Sequence, residues 1–147
     1  MRSEKGTVAL EFLLLFPLVI AMLYGATTYG ILFFGKYEMQ SVVDQAASSA
    51  LRVDRARYSA DDLSGQIVAT ANTTLEQGWA SKSQRLRAGA EITGDECKVG
   101  DPPDNFLTCT LSRDNKAEPM VPQLTFGFLG KFPPMPETMS AEATMAF

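Results

Sequence analysis

Residues 6 to 47, GTVALEFLLLFPLVIAMLYGATTYGILFFGKYEMQSVVDQAA, decide the architecture of this chain. Within them, positions 12 to 34 run for 23 residues without a formal charge, and about 20 apolar residues suffice for a helix to cross the hydrocarbon core of a bilayer. The stretch therefore predicts one membrane-spanning helix. It leaves 113 of the 147 residues, from Gly35 on, for a single small domain of ordinary polarity.

Outward toward the amino terminus, MRSEKG holds Arg2 and Lys5, whereas only Lys36 directly follows the apolar run. That asymmetry predicts a cytoplasmic amino terminus and an exported carboxyl-terminal domain. A secretory signal peptide has the same general form, but its apolar region is about 7–15 residues long, and the small residues near Gly25, Ala26 and Thr27 fall inside this run rather than after it. A plain signal anchor accounts for hydrophobicity and orientation but leaves Glu11 unexplained. A carboxylate at the edge of a spanning helix costs several kcal/mol if held at depth, which marks it as a functional candidate.

The segment Gly6-Thr7-Val8-Ala9-Leu10-Glu11-Phe12, behind a short charged leader, resembles the type IV prepilin site. That resemblance implies cleavage by a prepilin peptidase between Gly6 and Thr7, and places Glu11 at the fifth mature position. It further implies that Glu11 pairs with the Thr7 amine of a neighbouring subunit during assembly, a charge pairing favoured in a low-dielectric helix bundle. The longer stretch, with Pro17 as an early proline, a glycine- and aromatic-rich end and an Ala-rich continuation, resembles TadE-like proteins of the Tad pilus.

Pro17 removes one helical hydrogen bond and permits a kink, while Gly25 and Gly30 allow close helix approach without forming GxxxG. The resemblance implies a leader over 1–6, a transmembrane helix over 7–35 and an exported pilin-like domain over 36–147. It implies a minor pilin or pseudopilin of the inner membrane, with the prepilin peptidase, other pilin subunits and the Tad assembly machinery as partners, and with adhesion and biofilm formation as outcomes. Major subunits of this class are usually little more than a helix, so a 113-residue exported region suits a minor role.

Outward toward the carboxyl terminus, Met39, Val43, Ala46, Ala50 and Val53 recur at 4-3-4-3 spacing and extend the helix beyond the membrane with one small apolar face. Ser59 with Asp62 resembles a capping box, and Leu63, Ile67, Ala71 and Leu75 predict a second helix ending at Gly78. Asn72-Thr73-Thr74 matches a glycosylation sequon, read here as chance on a helix.

Period-two alternation then predicts strands at Leu86 to Ile92, Leu107 to Leu111, Leu124 to Phe128 and Met139 to Phe147. The fold class expected is α+β, with a small antiparallel sheet of about four strands. Cys97, in a polar loop, and Cys109, in the next strand, are expected to form a disulfide in an oxidising compartment, with free or redox-active thiols as the alternative. The apolar, proline-rich segment from Gly130 to Pro136 cannot join a central ladder and reads as a rigid surface linker or a partner-binding loop.

Composition narrows the function classes. The net charge of −4, without a basic cluster, offers no grip on nucleic acid. With no histidine and only two cysteines, no metal site, cofactor or enzymatic activity is expected. The alternative to a pilus subunit is a non-polymerising, membrane-anchored binding protein of the cell envelope.

Overall fold

The computed structural model describes residues 5–100, 106–125, 127 and 130–147. Leader residues Arg2 and Glu4 lie outside them, as do Phe126 and Phe128 of the third alternating set. One helix, α1, runs without interruption over Lys5–Ser49. Residues 12 to 34 make it apolar on all sides, while beyond Met39 only one face is apolar, and this division of the sequence is a division of environment. Pro17 lies inside α1, where the missing N–H leaves the carbonyl four residues earlier without its helical donor.

Helix α2, Ala60–Ala80, begins where the sequence signal puts it: the Ser59 hydroxyl accepts from the Asp62 backbone N–H and donates to the Asp62 carboxylate. Ile67, Ala71, Leu75 and Trp79, four residues apart, bury one stripe of α2. Against them α1 presents Met39, Val42, Val43, Ala46 and Ala47, joined by Ala50 in the 3-10 turn that follows it, all buried. The predicted seam gains Val42 and Ala47 and is wider than the 4-3-4-3 spacing implied.

Gly78 is not the helix stop, because α2 continues to Ala80 and ends at Ser81. A Cβ at Gly78 would stand 3.3 Å from Val42 Cγ1, so this glycine allows the two helices to approach closely.

A three-stranded antiparallel sheet completes the core, in the order β1 (Cys97–Val99), β2 (Phe106–Asp114), β5 (Thr138–Ala146). β2 and β5 pair over their full lengths, from Phe106 opposite Ala146 to Asp114 opposite Thr138. Leu107, Cys109 and Leu111 of β2 and Met139 and Ala141 of β5 face the helices. These are the inward sets that alternation identifies.

The strand expected over Leu86 to Ile92 does not form. Gln84–Arg87 is instead a single helical turn, α3, capped by Ser83, and it buries Leu86. Alternation over so few residues is satisfied equally well by a helical turn with one inward side chain, and the Ser83 cap is the local feature that decides. Cys97 lies in β1 rather than in a loop.

The connection from β2 to β5 spans residues 115 to 137 and holds a separate two-stranded ribbon, β3 (Leu124–Thr125) with β4 (Lys131–Phe132). Of the third predicted strand the described residues Leu124 and Thr125 are extended and exposed, and among the described residues the sheets are the three strands plus this ribbon. As expected, the proline-rich segment stays out of the central ladder.

Candidate functional site: the bare helix and the segment that descends along it

Every described side chain from Val8 to Met22 is exposed, as is Leu23, and Leu14 shows 75% of its surface. A continuous apolar surface of this size on a folded chain is an interaction surface for lipid or for other helices. It fits a single-pass membrane anchor.

Glu11 sits on this surface, exposed, four residues along α1 from Thr7. Two ion pairs occur among the described residues, Lys82 with Glu38 and Lys116 with Glu137, and neither involves Glu11. Gly6 and Thr7 belong to α1. Pro17 divides the bare segment near its middle.

From Tyr24 onward one face of α1 is covered. The Tyr24 hydroxyl donates to the Pro122 carbonyl, and the Tyr29 hydroxyl donates to the Pro134 carbonyl at 2.8 Å. Between these two bonds lies Gly25, buried; a Cβ there would meet Phe132 Cζ at 3.7 Å, so the Phe132 ring rests over it. Thr28 and Leu32 are buried on the same face. At Gly35 a Cβ would stand 2.7 Å from Met120 Cε, so Met120 occupies the space a side chain would take. The chain from Met120 through the ribbon therefore descends along α1 from the level of Gly35 to that of Gly25.

The descending segment is fastened by a polar cluster at the exit from β2. Arg113 is 1% exposed, and its Nε donates to the Leu86 carbonyl at 3.1 Å, Nη1 to Asn115 Oδ1 at 2.8 Å, and Nη2 to the Glu118 and Arg85 carbonyls. Burial pushes the guanidinium pKa down from its ordinary value, while the charges of Glu118 and Asp114 oppose the shift. Asn115 in turn donates to the Pro136 carbonyl and accepts from the Met120 N–H.

Next to it, exposed Asp114 accepts from the Ala117 and Lys116 N–H groups, and these bonds hold its carboxyl below the usual carboxylate range. Gly89, at φ +80°, lies against this turn and accepts from the Asp114 N–H.

Cys97 and Cys109 are joined in a disulfide between directly opposed residues of β1 and β2. The Cys97 N–H donates to Asn72 Oδ1, so the asparagine of the apparent sequon is a buried link between α2 and β1. Among the described residues, no group of three or more His, Cys, Asp or Glu stands where it could hold a metal ion.

Sequence reasoning missed Arg113, Asn115 and Asn72. Arg113 does continue the inward series Leu107, Cys109, Leu111 at the same period of two, and that was the available signal.

Residues 6–51 match the family model for TadE-like proteins. The match covers the bare helix and its Ala-rich continuation and begins at Gly6, the residue at which the prepilin resemblance places the cut. No curated protein and no solved structure matches the chain.

Proposed function

We propose, from the TadE-like match over residues 6–51, that the chain is a Tad pilus-associated protein of the pilin type, anchored by α1 with its domain outside the inner membrane. On this proposal a prepilin peptidase removes residues 1 to 6, and the bare helix packs laterally against helices of other pilin subunits. The observation that carries it is the coincidence of the match with an apolar helical surface that the described residues leave uncovered from Val8 to Leu23.

Glu11 is the assembly contact. Removal of the leader creates a cation at Thr7, and in a water-poor bundle a carboxylate and an amine on adjacent helices attract strongly enough to offset part of their desolvation. The domain after Ser49 suits a minor or initiating subunit better than the repeating unit. No enzymatic role, metal or cofactor is assigned to it.

The test uses Gly6→Ala in cells with an active prepilin peptidase. The proposal expects a full-length, membrane-bound precursor that does not enter pili; normal processing and normal pilus incorporation would overturn it.

A further inference from the structure

The bare part of α1 is too short for its task. From Phe12 to Leu23 it contributes about 18 Å at 1.5 Å per residue, and from Val8 about 24 Å, against a hydrocarbon core of about 30 Å. The apolar sequence itself continues to Phe34, but from Tyr24 upward one face is covered by residues 120 to 136. A core of about 30 Å counted from Val8 takes about 20 residues and ends near Thr27, so the ribbon at the level of Gly25 lies at the outer edge of the core.

We infer that the β3–β4 ribbon and the proline-rich chain around it form a wedge seated in the outer leaflet at the boundary between acyl chains and headgroups, so that the protein is both spanned through and embedded into its membrane. The inference rests on the membrane-anchor reading of α1 and extends it to a part of the exported domain.

The chemistry of the segment fits that depth. Lipid-exposed backbone must have its polar groups satisfied, and here prolines at 122, 133, 134 and 136 carry no N–H to satisfy. Tyr24 and Tyr29 cap the Pro122 and Pro134 carbonyls, and the Gln123 side chain donates to that of Pro133. Among the described residues the outward side chains include Leu124, Thr125 and Lys131, all exposed, and the Lys131 stem is long enough to reach lipid phosphates.

On the uncovered face of α1, Phe33, Phe34 and Tyr37 are exposed, Tyr37 to 72%, with Lys36 among them. Phe33 stands eight residues beyond Gly25, about 12 Å at 1.5 Å per residue, so these aromatics and the lysine lie on the water side of the ribbon's level. The occupant of the ribbon's outward surface is lipid of the bilayer that α1 crosses, because a core counted from Val8 reaches past the level of Gly25.

The test is depth-dependent quenching of an environment-sensitive fluorophore on single introduced cysteines, Thr125→Cys, Leu15→Cys and Lys98→Cys. The full chain is reconstituted with its native disulfide in phosphatidylethanolamine–phosphatidylglycerol vesicles. Expected are deep quenching by spin-labelled acyl chains at Leu15→Cys, shallow quenching with blue-shifted emission at Thr125→Cys, and water-like emission at Lys98→Cys. Water-like, unquenched emission at Thr125→Cys beside a quenched Leu15→Cys would overturn the wedge and leave the anchor standing. An unquenched Leu15→Cys would overturn both. A blue shift at Thr125→Cys that grows with protein density while lipid quenchers have no effect would assign the surface to a second copy instead.

Discussion

Arg113 Nη1 donates to Asn115 Oδ1 at 2.8 Å, and this contact joins a buried cation of the sheet to the first turn of the segment that descends along α1. Asn115 also holds that segment at Met120 and again at Pro136, so its departure and its return meet at one side chain. Among the described residues the guanidinium has no carboxylate partner; carbonyls and one amide oxygen take its protons.

Because those acceptors stay buried when the donor is removed, Arg113→Met should destabilise the domain by about 3 kcal/mol and Asn115→Leu by about 2 kcal/mol. Arg113→Lys should not restore stability, since an ammonium cannot reach acceptors spread around a planar fork. Denaturant unfolding of the full chain in micelles, followed by the single tryptophan Trp79, which is buried, measures all three. Wild-type stability in Arg113→Met would show that the cluster does not hold the domain together.

Gly89 combines φ +80° with a Cβ position 2.6 Å from the Asp114 carbonyl oxygen. Gly89→Ala therefore meets both backbone strain and a clash with backbone, and should cost at least about 2 kcal/mol in the same assay. Gly30→Ala, with open space around it, should have no comparable effect.

Reduction of the Cys97–Cys109 bridge, or its replacement by two serines, should lower stability by about 2–4 kcal/mol, chiefly by freeing the unfolded chain. Thermal unfolding with and without reductant reads this directly. A variant lacking both cysteines should be insensitive to reductant.

Asp114 sets a pH dependence whose sign is fixed by its lowered pKa. The group stabilises the fold fully above the ordinary carboxylate value of 3.8, and that contribution is lost as pH falls below 3.8 and through the lower folded value. Asp114→Asn keeps an acceptor oxygen but has no charge to lose. The stability difference between wild type and Asp114→Asn should accordingly shrink across that window in acid titrations of unfolding, and a constant difference would contradict the assignment.

How much of this was legible in the residues varies with the kind of signal. Charge-free length showed the spanning helix, four-residue spacing showed α2, and alternation showed β2 and β5, because each pattern persists for several periods. Leu86 to Ile92 misled because its alternation competes with a Ser83 cap that favours a helical turn. Gly78 misled because a glycine near a helix end also serves where two helices cross closely.

The fastening of residues 115 to 137 onto α1 was not readable, since it depends on long-range bonds between tyrosine hydroxyls and proline carbonyls that leave no period in the sequence. Gly6, Thr7, Glu11 and Pro17 stood out by motif, and the roles proposed for Gly6, Thr7 and Glu11 concern processing and assembly, which a single folded chain does not test.

The central claim is that this chain is a processed pilus subunit, and its most direct test is the amino-terminal sequence of the protein recovered from membranes and sheared pili of cells with an active prepilin peptidase. The account predicts a mature chain that begins at Thr7. A chain that still begins at Met1 would contradict it.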